Sequence, residues 1–317
     1  MSAEHGTKAV VAALAANSGI AVTKFVAFAL TGASSMLAEA IHSVADAGNQ
    51  VLLLVGGKRA RRDATEEHPF GFSRVRYYYA FLVAIVLFTV GGLFALYEAW
   101  HKFSDPHPIE AWHWVPVAVL VIAIIMESLS FRTAIVESNK VRKGLGWRRF
   151  IQRSKAPELP VILLEDLGAL VGLVFALFGV SMTLITHDGR WDALGAAMIG
   201  ILLCTIAFIL GRETKSMLLG EAANPEDIAA IRAAFASQGF GDVIHLRTLH
   251  LGPEDILVTA KVGARGADSL KTHAARVDKA EAAIRAAVPA VRLIFIEPDV
   301  RRVPAAVTPL PEDTNDH

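Results

Sequence analysis

His42 and Asp46 stand four residues apart inside an apolar stretch of the chain. Residues at this spacing on a helix point the same way, one turn apart, so an imidazole and a carboxylate can reach one divalent ion. Glu39 precedes His42 by three residues and shares much of that face. The alternative is a polar stripe that packs against another helix through hydrogen bonds. Because burying three ionisable groups in an apolar span is costly, we favour an ion site.

Two further acids, Glu165 and Asp166, are adjacent in a later apolar stretch. Successive helical residues are about 100° apart, so one acid can face a site while the other finds a different partner, such as Lys24 or Arg132. A purely structural salt bridge is the alternative for these acids. The available bases offset only part of the negative charge, so the pattern predicts a shared cavity that holds a cation or protons.

The chain of 317 residues has a positive mean hydropathy of +0.43, which is typical of a membrane protein. A helix needs roughly 20 apolar residues to cross a bilayer of about 30 Å. Gly168 and Gly172 form a small-x-x-x-small pair that predicts the close approach of another helix. The first 211 residues are interpreted as a transmembrane domain with six spans, near 9–30, 36–57, 77–100, 113–136, 160–186 and 192–211.

The loops predict the orientation. The second-to-third and fourth-to-fifth loops carry an excess of basic residues, which favours a cytoplasmic location for both termini. The start of the chain lacks the pattern of a cleaved secretory signal, so we expect a retained first span and a bacterial cytoplasmic membrane. The basic residues of the two loops are Lys58, Arg59, Arg61, Arg62, Arg74, Arg76, Lys140, Arg142, Lys143, Arg148, Arg149, Arg153 and Lys155, against Lys102 and Arg190 in the opposite loops.

Composition excludes several classes of protein. Lys plus Arg equals Asp plus Glu at 31 each, which gives no reason to expect a nucleic-acid partner. The single cysteine, Cys204, excludes a disulfide framework and Cys-rich zinc motifs. The chain has no G-x-x-x-x-G-K-[ST] loop, which argues against an ATP-driven pump.

The last third has the pattern of a small soluble α+β domain. Asn224 is predicted to cap a helix that begins with Pro225 and ends near Ser237. A second helix is predicted near 268–288. We interpret 212–223 as a connector, 224–302 as a cytoplasmic αββαβ domain with strands near 243–251, 255–262 and Val291–Ile296, and 303–317 as a disordered tail.

These features together resemble the cation diffusion facilitator family. The resemblance rests on six spans, the His42-x-x-x-Asp46 pair in the second, Asp166 in the fifth, the sequence His-Pro-Phe-Gly at 68–71 in the basic loop, and the αββαβ tail. The runs SMLAEAIHSVADAGNQ and LLED are most similar to the zinc-transporter-9-like branch of that family.

The resemblance implies a transported metal between the second and fifth spans, held by a pair of residues four apart on each. His42, Asp46 and Asp166 match three of these ligands, whereas Ile162 stands at the fourth position. That position is open to water, Glu165 or Glu39. One histidine and two carboxylates suit zinc, and manganese, iron(II) or cobalt are chemically acceptable.

Some members of the family have a second metal site in the loop between the second and third spans, and this sequence matches that site poorly. Thr65 and Phe72 stand where further ligands would accompany His68, so we interpret the His-Pro-Phe-Gly sequence as a structural turn.

The tail resembles the metallochaperone-like dimerisation domain of the family. Ile244 and Phe295 replace its expected histidines, although Glu297 keeps an acid. We therefore expect a homodimer-forming module rather than a metal sensor.

The hypothesis from sequence is a homodimeric, proton-coupled exporter of a divalent cation, most consistent with zinc, that has no resident cofactor. Its partners are then the metal ion, protons, the lipid bilayer and a second copy of the chain. One alternative is a membrane-anchored metal sensor or scaffold, but an anchor has no use for buried acids. The other is a membrane hydrolase using Glu165 and Asp166, for which the spans offer no neighbouring nucleophile.

Overall fold

The structure is a computed structural model, and it describes residues 2–31, 34–106, 114–142, 144–263 and 269–299. Within the first two helices some side chains lie outside this description, and those of Glu39 and His42 are among them. The predicted tail at 303–317 also lies outside the described residues. The chain divides into two compact units, one formed by residues up to Glu221 together with His250–Pro253, and the other by the remaining residues.

The first unit consists of long helices joined by short loops. One of them runs continuously from Val75 to Ser104, with a π-helical segment at Leu87–Leu93 between two α-helical parts. The helices are α1 (Ser2–Thr31), α2 (Ser34–Arg59), α3 (Val75–Val86), α4 (Phe94–Ser104), α5 (Trp114–Val141), α6 (Trp147–Arg153), α7 (Glu158–Thr186) and α8 (Arg190–Leu219).

Among the described residues, four helices are long and apolar enough to cross a membrane: Val75–Ser104, α5, α7 and α8. Large apolar side chains on these helices point outward, for example Ile185 and Phe208, which are 73% and 71% exposed. Such surfaces are stable in lipid but not in water. The chain is therefore an integral membrane protein. Helices α1 and α2 coincide with the first two predicted spans, and the total of six spans stays a prediction.

Aromatic side chains mark the ends of these helices. Tyr78 lies near the start of α3, Tyr97 and Trp100 lie near the end of α4, and Trp114 begins α5; all four are strongly exposed. Tyrosine and tryptophan favour the boundary between lipid and water because one end of each ring system is apolar and the other polar. The positions of these rings agree with helices that cross a membrane.

Glycines bring α7 and α8 together at one end of their contact. A Cβ atom on Gly179 would lie 2.9 Å from the carbonyl oxygen of Trp191, and one on Gly195 would lie 2.9 Å from that of Phe175. The pair predicted from the sequence, Gly168 and Gly172, does not mark a backbone contact of this kind. A Cβ at Gly168 would meet the tip of the Ile206 side chain, and one at Gly172 would make ordinary contacts. The closest backbone approach is therefore at Gly179 and Gly195.

Gly195→Ala is expected to lower the free energy of unfolding by about 1–3 kcal/mol, because the new methyl group overlaps backbone that cannot move aside. Gly211→Ala is the matched control on the same helix, since its Cβ would find its nearest neighbour 4.0 Å away. Both changes replace glycine by alanine within the helix, so both increase the helix propensity by the same amount. Thermal unfolding in detergent should rank Gly195→Ala below Gly211→Ala, and equal melting temperatures would contradict the close packing.

The predicted connector at 212–223 is wrong over most of its length, because α8 continues to Leu219. The segment 212–219 contains neither glycine nor proline, so no residue interrupts the helix. Thr214 and Met217 are buried, which gives the extension a packed face. The helix ends at Gly220, whose φ of 109° is accessible to glycine at little cost. The short helix α6 in the basic loop was not predicted either.

The remaining elements are α9 (Pro225–Ser237), β1 (Val243–Gly252), β2 (Asp255–Gly263), α10 (Leu270–Ala287) and β3 (Val291–Asp299), and all of them except the last three residues of β1 belong to the second unit. This is the predicted αββαβ order. The strands lie side by side in the order β1-β2-β3, and β2 pairs with β3 in parallel. A core between the helices and one face of the sheet contains buried apolar residues of α9, β2, α10 and β3, among them Ile231, Phe235, Val258, Ile284 and Val291, and the partly buried Val243 and Leu246 of β1 pack against it.

The helix starts of this unit follow the sequence signals. Asn224 occupies the N-cap position of α9 in an extended conformation, with Pro225 as the first helical residue. Ser269 caps α10 by accepting a 3.2 Å hydrogen bond from the backbone N–H of Thr272. Strand β3 continues past the predicted end at Ile296 and includes Pro298. An edge strand tolerates proline, since one side of its backbone needs no partner.

Candidate metal centre

Four helices of the first unit contribute a layer of buried polar side chains. Each of these side chains belongs to a residue that is less than a tenth exposed, although the surrounding helix surfaces are apolar. They are Asn17 and Lys24 of α1, Ser43, Asp46, Asn49 and Gln50 of α2, Glu127 and Ser130 of α5, and Glu165 and Asp166 of α7.

The spacing of polar residues on α2 explains where this layer forms. Ser43, Asp46, Asn49 and Gln50 recur every three or four residues, which places them along one side of the helix. The same helix contributes Leu53 to the apolar core of the unit. The helix therefore buries a polar stripe in one part of its length and an apolar face in another, and α1, α5 and α7 supply the partners of the stripe.

A small cavity of ≈ 20 Å³ lies within this layer. That volume accommodates about one water molecule or one metal ion. Its polar lining comes from α1, α2 and α5, and α7 contributes small residues that leave the space open. The lining residues are Asn17, Ile20, Lys24, Ser43, Asp46, Glu127, Gly168, Ala169, Gly172, Leu173, Ile199 and Leu203.

Both carboxylate oxygens of Glu165 accept hydrogen bonds from amides of α2. The Asn49 side chain donates to Oε1 at 2.6 Å, and that of Gln50 donates to Oε2 at 3.0 Å. The Asn17 amide in turn donates to the Gln50 side-chain oxygen at 3.3 Å. This chain of bonds ties α1, α2 and α7 together one turn beyond Asp46.

Glu165 does not have either of the partners suggested for one of the two adjacent acids. Instead of Lys24 or Arg132, the carboxylate has the amides of Asn49 and Gln50. Arg132 is exposed, and the Lys24 ammonium donates to the Ser43 hydroxyl at 2.9 Å. The physical reason is the position of Glu165 along the helix bundle. This position places its carboxylate beside the amides of α2 and outside the lining of the cavity.

Asp166 has one oxygen satisfied and one without a hydrogen-bond partner in the described part of the chain. The Ser130 hydroxyl donates to Oδ2 at 2.9 Å, whereas the buried Oδ1 has no such donor. The residue is only 1% exposed. A buried carboxylate oxygen without a donor is unusual, and a cation or a proton would satisfy it.

The structure describes only some of the predicted ligands. Asp46 interacts electrostatically with both Glu165 and Asp166, so the acids of α2 and α7 share one region. His42 and Glu39 lie outside the described side chains. Ile162 is buried in the apolar core of the unit. Across the described residues, no three His, Cys, Asp or Glu side chains are close enough to form a complete metal site.

Glu127 is a buried acid that was not among the residues predicted for the site. This acid stands in the apolar stretch that forms α5, it is 3% exposed, and it lines the cavity beside Asp46. The criterion that identified Glu165 and Asp166, an acid inside a membrane span, also applies to it. The amides of Asn17, Asn49 and Gln50 gave a weaker signal, because neutral polar residues are less costly in spans.

The other histidines considered as candidates lie outside the buried polar layer. His68 belongs to an exposed turn in which its carbonyl accepts from the Gly71 N–H at 2.9 Å and its own N–H donates to Thr65. On β1, His245 is exposed and His250 is buried, since residues an odd number apart on a strand face opposite sides. The imidazole of His245 accepts a 2.6 Å hydrogen bond from Arg247.

Comparison with known proteins assigns a family. A family model described as the cation efflux transmembrane domain matches residues 10–219, which is more than half of the chain. The chain belongs to the cation efflux family. The match includes every helix that contributes to the buried polar layer, so this cation efflux protein carries the candidate metal centre within its family domain.

Three relatives show how far the similarity extends. The human protein named proton-coupled zinc antiporter SLC30A9, mitochondrial, is 30% identical over 258 residues, which cover 80% of this chain and 45% of the relative. Metal tolerance protein C4 of Arabidopsis thaliana is 25% identical over 287 residues, covering 88% and 61%. Zinc transporter ZitB of Escherichia coli is 24% identical over 229 residues, covering 72% and 68%. The chain therefore spans less than half the length of its human relative.

Proposed function

We propose that this cation efflux protein is a secondary transporter, not an enzyme, which exports zinc from the cytoplasm in exchange for protons. The observation that carries the proposal is the ion-sized cavity between membrane helices, lined by buried Asp46 with Asp166 close by. Buried acids in a membrane domain are costly and mark ion pathways. The names of the human and E. coli relatives, a zinc antiporter and a zinc transporter, support zinc as the substrate.

His42, Asp46 and Asp166 are the proposed ligands of the transported ion. Glu165 and Glu39 are the candidates that sequence offers for a fourth position, since Ile162 cannot coordinate a metal. A nitrogen ligand with carboxylates suits zinc, and manganese, iron(II) or cobalt would fit the same donors. The metal here is the cargo of the protein and not a resident cofactor.

The coupling to protons follows from the chemistry of the ligands. A metal binds only to deprotonated carboxylates and to neutral imidazole, so metal and protons compete for the same groups. Histidine has a reference pKa of about 6.5, so its protonation changes near physiological pH. With the site open to the cytoplasm the metal displaces protons. After the helices rock to open the site outward, protonation of His42 releases the metal.

Asp46→Ala is expected to abolish zinc flux while the protein keeps its fold, because the variant loses a ligand that lines the cavity. The measurement is zinc uptake into proteoliposomes under an imposed pH gradient. Asp63→Ala, in an exposed loop, is the matched control and should transport at the wild-type rate. Retained transport in Asp46→Ala would overturn the assignment of the site.

We also propose that both termini are cytoplasmic, in a bacterial cytoplasmic membrane. Support for the orientation comes from the basic residues concentrated in the second-to-third and fourth-to-fifth loops. Labelling of single cysteines placed in those loops tests the orientation. Labelling from the outside of intact cells would reverse it.

A homodimer is the proposed assembly, formed through the second unit. The face of its sheet opposite the two helices carries the exposed side chains of His245, Arg247 and Phe295, and Phe295 is 56% exposed. An aromatic side chain this exposed on a sheet face is typical of a contact surface. The mass of the purified protein in detergent, corrected for bound detergent, tests the proposal. A monomer at micromolar concentration would contradict it.

A further inference from the structure

We propose that Glu127 of α5 is a ligand of the transported cation, so that the metal site includes a third helix in addition to α2 and α7. The inference deepens the proposed transport function and rests on it. It assigns the fourth position, left open by Ile162, to a residue that neither the family pattern nor the spacing of the sequence indicates.

The geometry of the cavity supports this role. Glu127 is 3% exposed and lines the ≈ 20 Å³ cavity together with Asp46 and Lys24. Its carboxylate forms no hydrogen bond within the described part of the chain, although nearly every buried carboxylate in proteins has a donor. The free carboxylate therefore faces a space of the size of one ion.

The charges around Glu127 favour the binding of a cation. Asp166, Asp46 and Lys24 interact electrostatically with Glu127. Among the described residues, three carboxyl groups thus meet one ammonium group, and these four groups together carry a formal charge of −2 when all three acids are ionised. A bound divalent ion balances that charge. A role as counter-ion to Lys24 alone does not, because it leaves the charges of the two aspartates unbalanced.

Glu165 is a poorer candidate for the same position. Both of its oxygens are engaged by the amides of Asn49 and Gln50, whereas Asp166, which also lies outside the cavity lining, keeps one oxygen without a donor among the described residues. To coordinate the ion, this carboxylate would have to break two buried hydrogen bonds. Glu127 has no such bond to break, so a metal gains its carboxylate without loss elsewhere.

The test is equilibrium zinc binding to the purified full chain in detergent, measured by calorimetry with wild type and four variants. Glu127→Gln keeps the shape of the side chain and removes its charge, and no hydrogen bond is lost, so the fold should survive. Glu137→Gln is the matched control, since Glu137 is a buried acid of the same helix bonded to Lys140. Asp166→Asn reports on the proposed site itself. Glu127→His replaces the carboxylate by a neutral zinc ligand.

We expect Glu127→Gln to weaken zinc binding by about 10-fold to 100-fold, and Glu137→Gln to bind within about twofold of wild type. Glu127→His should recover most of the zinc affinity but not that for manganese, because imidazole suits zinc and manganese prefers oxygen donors. Recovery with a neutral ligand separates coordination from a general effect of charge.

Wild-type affinity in Glu127→Gln would overturn the inference, and so would zinc binding in Glu127→His as weak as in Glu127→Gln. Either result leaves the transport function intact as long as Asp166→Asn loses zinc. Failure of the transport function has a different signature, in which Asp166→Asn binds zinc as tightly as the wild type or the wild type binds no zinc.

Discussion

Asp166→Asn is expected to reduce zinc flux driven by a pH gradient by about 100-fold or more. Loss of a group that only orients a metal ligand typically costs 10-fold to 100-fold in affinity or activity, and loss of a ligand itself should cost at least as much. The amide is nearly isosteric with the carboxylate and can still accept the bond from Ser130. The loss of flux should therefore come without loss of folded protein.

The measurement is zinc uptake into sealed proteoliposomes that contain equal amounts of wild type and variant. Asp63→Asn makes the same chemical change in an exposed loop and should leave the rate unchanged. Size-exclusion profiles in detergent establish that both variants are folded. Uptake by Asp166→Asn at more than a tenth of the wild-type rate would remove Asp166 from the proposed ligand set.

Glu165→Ala is expected to lower the free energy of unfolding by about 1–3 kcal/mol while changing zinc affinity little. The carboxylate accepts from two buried amides, and its removal leaves the Asn49 and Gln50 donors without their partner. Measured bonds of this kind within membranes average about 0.6 kcal/mol and reach about 1.7 kcal/mol. The loss of two bonds therefore falls in the expected range.

Thermal unfolding in detergent and zinc calorimetry on the same preparation test this prediction. Glu165→Gln serves as the graded variant, because its side-chain oxygen still accepts one of the two bonds, and it should fall between wild type and Glu165→Ala. A loss of zinc affinity as large as that of Asp166→Asn would identify Glu165 as a ligand and contradict its role in positioning the helices.

Much of the fold could be predicted from local signals in the sequence. The αββαβ order of the second unit followed from alternation, turns and caps, and Asn224 occupies the N-cap position expected of it. These signals act between residues close in sequence, so they are visible without a structure. The extension of α8 to Leu219 was missed because the fall in hydropathy after Gly211 marks where a span ends and not where a helix ends.

The candidate site was harder to predict from the sequence than the fold. Hydropathy indicates how deep a residue lies in the membrane, but it indicates neither the neighbours of that residue nor the rotation of its helix. Sequence marked Asp46, Glu165 and Asp166 as buried acids. That Glu165 meets the amides of α2, whereas Glu127 faces the cavity, depends on which helices pack together. The close contact at Gly179 and Gly195 has the same origin, since it depends on how α7 meets α8.

The most direct test of zinc–proton exchange is a zinc pulse given to sealed vesicles without an imposed gradient, with zinc and pH recorded inside by two dyes. If zinc enters in exchange for protons, the internal pH rises as internal zinc rises, and both signals disappear in Asp166→Asn. An ionophore that clamps the pH should abolish the pH change and speed zinc entry. Zinc entry with no internal pH change, or no zinc entry through folded wild-type protein, would contradict exchange of zinc for protons.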